Sequence, residues 1–481
     1  MDILFVYPPI SVNERYNKNL GKVGGDLPPL GIAQLASYLR ERKFTVGLID
    51  AIALDYTVEK LIEEITKLKP KVVGFSALTS NFNRAVEASK AVKKKFPEIL
   101  TLIGGHHASI LPVEVLKQNK CFDILVFGEG ELTSLKIMNS YKKAKWDLKK
   151  FLSDYKILDK INGAVYRKKG KIIKNKEPDL IKNLDDLPYV ARDLLPMEKY
   201  IPLPNQYKRK PVINMVVIRG CPFNCSFCSN NAVFGRKIRA MSPKRVVKEI
   251  KDVIRDYKAK EISFWDDMMT VNKKWMNDFC KLLIKDKVNI TWTCYSRVDT
   301  INLEMLKLMK KAGCWNIFFG YESGNQELLN NINKGTTLKQ IEQANKWCKA
   351  AGIEIRASFM IALPGETPQM AQKTIDFAKM LDPDYAQFCI TTPFPGTKLF
   401  KDYKKYGKLT NNYSDYNIWK PVFIPKGYKN KEEIEEMERK AMIQFYLRPK
   451  YVWGRLKSIK NINDIKRYID GLFFVLGFVK K

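Results

Sequence analysis

The sequence lacks several features that define common classes of protein. No apolar run approaches the ~20 residues that a membrane-spanning helix needs. Residues 1–7 lack the basic segment of a secretory signal peptide. No G-x-G-x-x-G follows the first predicted strand, which disfavours a dinucleotide cofactor. Hydrophobic residues make up 45% of the 481-residue chain and charged residues 28%, so we expect a folded protein of two or three domains.

Cysteine is scattered except in one short segment. Three of the nine cysteines, Cys221, Cys225 and Cys228, have the spacing C-x-x-x-C-x-x-C. No second Cys or His pair follows them, as a structural zinc site would need. Three thiolates can instead bind three irons of a cubane iron–sulfur cluster and leave the fourth iron open, which is how a metal site becomes catalytic. The other cysteines suit buried positions in a reducing cytoplasm. Of these, Cys294 and Cys389 lie on predicted strands, where they could instead face a cavity.

This spacing resembles the signature of the radical S-adenosylmethionine (SAM) enzymes. The resemblance implies that the open iron binds the amino and carboxylate groups of SAM. An electron then splits the sulfonium to a 5′-deoxyadenosyl radical, which takes hydrogen from the substrate. It also implies a low-potential electron donor such as ferredoxin or flavodoxin.

The first 140 residues alternate between strand and helix patterns, which predicts a doubly wound parallel sheet. Ligands of such sheets bind at the carboxyl ends of the strands, near the switch in strand order. The predicted strands are Ile3–Tyr7, Thr45–Asp50, Val72–Ala77, Leu100–Gly104 and Ile124–Phe127. The predicted helices are Leu30–Arg42, Val58–Lys67, Asn81–Phe96 and Pro112–Lys117.

The loops after these strands resemble the Rossmann-like cobalamin-binding domain that precedes many radical SAM barrels. The resemblance rests on the segments Pro-Pro-Leu-Gly31, Gly-Phe-Ser76, Gly-Gly-His106 and Phe-Gly-Glu-Gly-Glu131. The D-x-H-x-x-G motif that supplies a histidine ligand in mutases is absent, so we expect cobalamin without a protein imidazole ligand. The alternative is a domain that kept the fold and lost the cofactor. The predicted cobalamin contacts are Leu30, Gly31, Ser76, Thr79, Gly104, Gly105, His106, His107, Gly128, Glu129 and Gly130.

Residues 141–210 form a basic connector with a hairpin predicted at Lys169-Gly170. From residue 211 to about 400, strand and helix patterns alternate again and resemble the partial (β/α)6 TIM-type barrel of the radical SAM enzymes. Residues 401–481 form a C-terminal helical extension. The predicted barrel strands are Ile213–Arg219, Glu261–Trp265, Thr291–Tyr295, Asn316–Tyr321, Glu354–Ile361 and Tyr385–Thr391.

Barrel active sites lie at the carboxyl ends of the strands, and the resemblance implies that SAM binds there. Two glycines that are usual in the family's fifth-strand motif are Ser358 and Ala362 here, which makes Ala362 the least secure contact. The loop Pro393–Thr397 matches one that is common in the cobalamin-bearing branch. The predicted SAM contacts are Phe227, Asp266, Asp267, Arg297, Glu322, Ser323, Ala362 and Pro364.

The formal net charge is +33, and the last 41 residues hold nine Lys or Arg against two Asp or Glu. Lysine and arginine beside Trp, Tyr and Phe fit a helix lying on an anionic membrane surface. A helix packed back on the barrel fits equally well. A nucleic acid partner would also suit the charge, but no RNA-binding module is recognisable.

Together these features predict a cytoplasmic, cobalamin-dependent radical SAM enzyme that methylates an unactivated carbon of a lipid-like or other small-molecule substrate. A cyclase or oxidative rearrangement enzyme on the same scaffold is the nearest alternative. A nucleic-acid-binding protein with a vestigial barrel is the alternative from another class. The tail places the protein at the inner face of the membrane if it binds lipid.

Overall fold

The computed structural model describes residues 1–10, 25, 27–410, 412–459 and 462–479. Its strands are β1 (Ile3–Tyr7), β2 (Val46–Asp50), β3 (Val72–Ser76), β4 (Leu100–Gly104), β5 (Ile124–Val126), β6 (Ala164–Lys168), β7 (Lys171–Lys174), β8 (Val212–Met215), β9 (Ile218–Arg219), β10 (Arg239–Ala240), β11 (Glu261–Phe264), β12 (Thr291–Ser296), β13 (Cys314–Glu322), β14 (Glu354–Ile361), β15 (Tyr385–Ile390), β16 (Gly407–Leu409) and β17 (Phe423–Pro425).

The helices of the first half are α1 (Leu30–Glu41), α2 (Val58–Leu68), α3 (Phe82–Lys95), α4 (His106–Ile110), α5 (Pro112–Gln118), α6 (Glu131–Lys143), α7 (Leu148–Ser153), α8 (Tyr155–Leu158), α9 (Asn231–Phe234) and α10 (Pro243–Tyr257). Those of the second half are α11 (Lys273–Lys285), α12 (Leu303–Lys311), α13 (Gln326–Asn331), α14 (Leu338–Ala351), α15 (Pro368–Leu381), α16 (Lys398–Tyr406), α17 (Lys431–Tyr446), α18 (Pro449–Lys457) and α19 (Ile462–Val479).

The N-terminal sheet has the strand order β2-β1-β3-β4-β5, with all five strands parallel. Strand β1 alternates between two cores: Ile3 and Phe5 join one, and Leu4 and Val6 join the other. A strand buried on both faces reads as a continuous apolar run, which is why β1 was recognisable in the sequence. The doubly wound sheet is confirmed, and its order reverses between β1 and β3, where such sheets bind ligands.

The predicted hairpin extends this sheet. Strand β6 pairs antiparallel with β5, and β7 pairs with β6. Lys169 and Gly170 both have positive φ angles, as a two-residue hairpin turn of this kind requires. Part of the basic connector therefore belongs structurally to the N-terminal sheet.

The second sheet has the order β15-β14-β13-β12-β11-β8, and every neighbouring pair is parallel. It is the partial barrel, with β8 and β15 at its edges. The predicted first strand, Ile213–Arg219, is wrong as one unit. It ends at Met215, and β9 then pairs antiparallel with β10. The side chain of Asp266 accepts the N–H groups of Val217 and Ile218 at 2.6 and 2.5 Å, so these groups are not available to the sheet.

The C-terminal extension packs on the edge of the barrel. Helix α17 begins after Asn430, whose side chain accepts the Glu433 N–H at 3.0 Å, and it packs on β15 and α15. Helix α19 in turn contacts α17, and Val475 of α19 is buried. Packing on the barrel, one of the two arrangements open to the tail, is therefore present. Among the described residues no helix is long and apolar enough to cross a membrane.

Candidate functional site

The three cysteines of the C-x-x-x-C-x-x-C segment share the loop that follows β9. Cys221 and Cys225 are partly buried and Cys228 is exposed. The loop is fixed to the barrel by backbone hydrogen bonds: Ser226 donates to Ile332 at 2.9 Å and accepts from Leu399 at 2.8 Å. The loop is therefore held at the carboxyl ends of the barrel strands, where barrel enzymes place their chemistry.

The cysteine sulfurs do not form a single-ion site. Among the residues that the structure describes, no three His, Cys, Asp or Glu side chains converge on one ion. A cubane cluster does not need such convergence, because each cysteine binds a different iron. Burial raises the pKa of Cys221. Binding iron must therefore displace a proton from this thiol.

Arg297 lies against the cysteine loop. Its Nη1 lies 3.7 Å from the Cys225 sulfur, and its guanidinium lies 3.7 Å from the centre of the Phe223 ring. Asp299 holds the same guanidinium through two hydrogen bonds of 2.9 and 3.0 Å. A donor aimed at a ligating sulfur stabilises its thiolate and shifts the potential of a cluster. Arg297 is therefore placed beside a predicted cluster ligand, and its contact with SAM stays a prediction.

Asp266 and Asp267 follow β11 and anchor the segment that leads into the cysteine loop. Asp266 binds the backbone of Val217 and Ile218, and burial raises its pKa to about 7. Asp267 accepts hydrogen bonds from Asn230 and from the backbone of Gly220, and burial raises its pKa as well. Both side chains thus support the loop, and their contact with SAM stays a prediction.

Glu322 forms a buried ion pair that the sequence did not indicate. Its Oε1 accepts a hydrogen bond from the Lys334 Nζ at 2.6 Å, and both side chains are less than one-tenth exposed. Gly320 makes room for the pair, because a Cβ there would lie 2.8 Å from the Lys334 Nζ and even closer to the Glu322 carboxylate. Lys334 also lies 5.8 Å from the centre of the Phe227 ring. The predicted contacts Phe227 and Glu322 therefore meet through Lys334.

Of the remaining predicted SAM contacts, Ser323 directly follows Glu322, and Ala362 and Pro364 lie on the loop after β14. Ser323 is fully buried, and its hydroxyl lies 3.1 Å from that of Thr374. Pro364 accepts a hydrogen bond at its carbonyl from Asn331 at 3.1 Å. Ala362 has a φ of 64°, in the left-handed region that favours the glycine usual in the family. Ala362 therefore has a backbone conformation that glycine adopts without strain.

Glu366 holds the loop that contains Ala362. Its Oε1 accepts hydrogen bonds of 2.6 Å from the Ala362 N–H and from the Tyr428 hydroxyl, and the side chain is fully buried. Burial raises the pKa of Glu366 to about 7, although both hydrogen bonds lower it. The C-terminal extension, through Tyr428, therefore helps to shape the candidate SAM loop.

Glu366 makes the stability of the protein depend on pH. The folded state keeps a proton on Glu366 that the unfolded chain loses near pH 4.5. The contribution of Glu366 to the free energy of unfolding is therefore full below pH 4.5 and is lost as the pH rises to about 7. The change is roughly 3 kcal/mol. We expect Glu366→Gln to flatten the decline of the denaturation midpoint over this pH range, and the exposed Glu435→Gln to leave it unchanged. Parallel pH profiles of all three proteins would contradict the assignment.

The predicted cobalamin contacts gather at the carboxyl edge of the N-terminal sheet. Gly105 has a φ of 90°, and a Cβ there would lie 2.7 Å from the Ala77 carbonyl, so only glycine lets the two loops approach. A Cβ on Gly31 would meet nothing within 4 Å, which leaves space above α1. Leu78, which was not predicted, is 42% exposed at this edge. An exposed apolar side chain beside open backbone suits the flat face of a corrin.

The two histidines have different environments. His106 is partly exposed, whereas His107 is buried between the rings of Phe82 and Tyr413, with centroids 4.1 and 5.1 Å away. His107 Nδ1 lies 3.2 Å from the Thr79 hydroxyl, and burial lowers the pKa of His107 to about 4. His107 and Thr79 thus support the edge from beneath, while His106 stays partly accessible.

Glu129 connects the two halves of the protein. Its carboxylate accepts a hydrogen bond of 2.8 Å from Arg219 and also pairs with Arg239, while Glu131 accepts one of 2.6 Å from Arg219. All four side chains are at most one-tenth exposed. Burial alone would lower the pKa of Arg219. The carboxylates of Glu129 and Glu131 outweigh this effect, so the pKa of Arg219 lies above its ordinary value. The side chain predicted to contact cobalamin is thus occupied by two arginines, and that contact stays a prediction.

This ion-pair cluster brings the two candidate sites together. Arg219 is two residues before Cys221, and α9, which follows the cysteines, contacts α4 at the edge of the N-terminal sheet. Sequence reasoning missed Lys334, Arg239 and Glu131 as members of the site. The repeated glutamates of the Phe-Gly-Glu-Gly-Glu segment were the available signal for Glu131, and nothing in the sequence indicated the other two.

The fold and the cysteine loop define an enzyme class, and comparison with known proteins agrees. The radical SAM superfamily matches residues 215–378, and the B12 binding domain matches residues 16–137. The chain belongs to the radical SAM enzymes that carry a B12-binding domain.

Relatives and a solved structure support this assignment. The chain is 37% identical to the "uncharacterized methyltransferase PH0819" of Pyrococcus horikoshii, over 99% of this chain and 98% of that protein. It is 30% identical to the anaerobic magnesium-protoporphyrin IX monomethyl ester cyclase of Rubrivivax gelatinosus, over 98% of this chain and 84% of that protein. The structure of the cobalamin-dependent radical enzyme OxsB shares the fold, with a TM-score of 0.73 and 18% identity over 99% of this chain and 72% of that one.

The predicted cofactors are therefore a 4Fe–4S cluster, SAM and cobalamin. The residues present fit all three groups. Three separated thiols on one loop suit the cluster, and the buried charges of the Glu322–Lys334 pair suit the charged end of SAM. Among the described residues, the space beside Gly31 leaves room for a corrin.

Proposed function

We propose that the protein is a cobalamin-dependent radical SAM C-methyltransferase acting on a lipid-like substrate. One observation carries the proposal: α9, beside the cysteine loop, contacts α4 at the carboxyl edge of the N-terminal sheet, where the predicted cobalamin contacts lie. Buried ion pairs fix this arrangement. When bound there, the cluster and SAM supply a 5′-deoxyadenosyl radical, and cobalamin carries a methyl group. A substrate between the two edges can meet both groups at reacting distance.

The side chains around the site bind, orient and exclude water. Arg297 stabilises the Cys225 thiolate, and the Glu322–Lys334 pair presents one acceptor and one donor to the polar end of SAM. Phe227 packs against a small apolar cluster of Leu328, Ile332, Met360 and Leu363 beside this pair. An apolar wall excludes water that would otherwise quench a radical.

Cofactor content tests the proposal directly. The protein should be purified without oxygen from cells supplied with cobalamin, and its iron, sulfide and corrinoid should be assayed together with SAM cleavage. We expect about four irons and one corrinoid per chain, with 5′-deoxyadenosine formed under reducing conditions. Iron and SAM cleavage without corrinoid would contradict a methyl transfer that uses cobalamin.

Ring cyclisation or oxidative rearrangement is the second candidate. The observation that favours it is the 30% identity to the Rubrivivax gelatinosus cyclase. Transfer of label from [methyl-³H]SAM into an organic product distinguishes methylation from cyclisation, because only methylation retains that group. In either case we propose a ferredoxin or flavodoxin as the electron donor.

We also propose that the protein lies in the cytoplasm at the inner face of the membrane. Among the described residues, eight of the twelve exposed large apolar side chains fall between residues 447 and 473. This part of the chain is also strongly basic. Such a surface suits anionic headgroups and the boundary of the acyl chains.

Co-sedimentation with vesicles checks the membrane proposal. The full-length protein should pellet with phosphatidylglycerol vesicles and remain in solution with phosphatidylcholine vesicles. A chain truncated after Tyr446 should pellet with neither. If the full-length protein stays in solution with anionic vesicles, the proposal is wrong.

A further inference from the structure

A cavity of about 250 Å³ lies beside the edge strand β15. Tyr385–Phe388 from the first part of β15 form one wall, and residues 203–205, which precede β8, form another. Helices α17, α18 and α19 close the remaining side. The cysteine loop lies at the carboxyl ends of the strands, so this cavity is separate from the candidate active site.

The cavity wall offers a ligand mainly apolar contact. Its side chains include Leu203, Trp419, Met442, Leu456, Leu472 and Val475. Several polar atoms of the wall are already bound within the protein. Tyr446 exchanges hydrogen bonds of 2.7 and 3.0 Å with the backbone of Ala386, and Arg455 binds Asp384 at 2.8 Å. An apolar cavity of roughly 150 Å³ already binds a molecule as large as benzene. This larger cavity therefore suits a hydrocarbon.

The cavity wall is continuous with the exposed apolar surface of the tail. Leu456 and Leu472 line the cavity and yet are 54% and 51% exposed. Trp453 and Phe473, their near neighbours on the same helices, are 61% and 64% exposed. The last 41 residues carry nine cations against two anions. A ligand that enters here meets apolar side chains, on a segment whose sequence is strongly basic.

We propose that this cavity binds the hydrocarbon chain, acyl or isoprenoid, of an anionic lipid. The apolar wall holds the chain, and the basic tail attracts the headgroup. The proposal assigns a ligand class to the cavity and does not depend on methyl transfer at the cysteine loop. A substrate lipid and a bilayer lipid share this chemistry.

Filling the cavity from Gly471 tests the proposal. Gly471 lines the cavity, and a Cβ there would meet nothing within 4 Å, so Gly471→Trp can place its ring in the space without displacing backbone. The matched control is Gly454→Trp on α18, where a Cβ also meets nothing within 4 Å and which lies outside the cavity wall. The probe is cis-parinaric acid, an 18-carbon fatty acid whose fluorescence rises in apolar surroundings.

We expect saturable binding of cis-parinaric acid to the full-length holoenzyme, at least tenfold weaker binding to Gly471→Trp, and unchanged binding to Gly454→Trp. Circular dichroism spectra should match among the three proteins. Equal binding by Gly471→Trp, or non-saturable binding by the unaltered protein, would overturn the proposal. This binding needs no turnover, so a failure to methylate does not affect the result. A rise in 5′-deoxyadenosine with bound fatty acid identifies a substrate chain, and loss of vesicle binding by Gly471→Trp alone identifies a bilayer chain.

Discussion

Serine in place of Cys221, Cys225 and Cys228 is expected to abolish the cleavage of SAM. Each thiolate is predicted to bind one iron of the cluster, and a serine hydroxyl is a poor ligand for iron in such a site. Iron content should fall from about four atoms per chain to near zero, and formation of 5′-deoxyadenosine under reducing conditions should fall to background. The measurements are iron and sulfide assays together with chromatography of the nucleoside product.

A matched control separates loss of the cluster from loss of the fold. Cys121 lies in the N-terminal domain, where its thiol is 3.8 Å from the Val86 carbonyl, and a serine can make the same contact. Cys121→Ser should keep its iron and its activity. If the triple variant still forms 5′-deoxyadenosine, the assignment of these three residues is wrong.

Glu129→Gln is expected to lower the free energy of unfolding by about 3–5 kcal/mol, the range found when one partner of a buried ion pair is removed. The change leaves Arg219 and Arg239 buried with less compensating negative charge. Because Arg219 is two residues before Cys221, we also expect the variant to hold less iron. Denaturant unfolding of the apoprotein and iron assays of the reconstituted protein measure the two effects.

The control for Glu129→Gln is an exposed pair in the same part of the chain. Lys136 and Asp179 are 2.6 Å apart and are each nearly half exposed. Asp179→Asn should therefore lower the free energy of unfolding by at most about 1 kcal/mol, the upper end of the range measured for surface ion pairs. If Glu129→Gln is no more destabilising than this control, the buried ion-pair cluster does not hold the two domains together.

The strands and the cofactor loops of this protein were largely predictable from local pattern. Apolar runs marked β1, β3 and β4 because these strands are buried on both faces. The spacing of the cysteines was sufficient to predict the cluster, since its predicted ligands are neighbours on one loop. The first barrel strand was predicted too long, because its end is set by Asp266, nearly fifty residues further along the chain.

The partners of charged side chains were not predictable. Lys334 is one of many lysines in the sequence, and only the folded chain places its Nζ beside Glu322. Glu129 was read as a cofactor residue, and the fold gives it two arginines about 90 and 110 positions away. The cavity at β15 likewise needs four separate segments to form its walls.

The sequence alone determined which cofactors the protein can hold, because each is bound by short segments whose residue types and spacing are local properties. The tertiary structure was needed to show how the cysteine loop meets the carboxyl edge of the N-terminal sheet, which charges are buried in pairs, and where the apolar cavity lies. Those features depend on contacts between segments far apart in the chain, and a linear pattern does not record them.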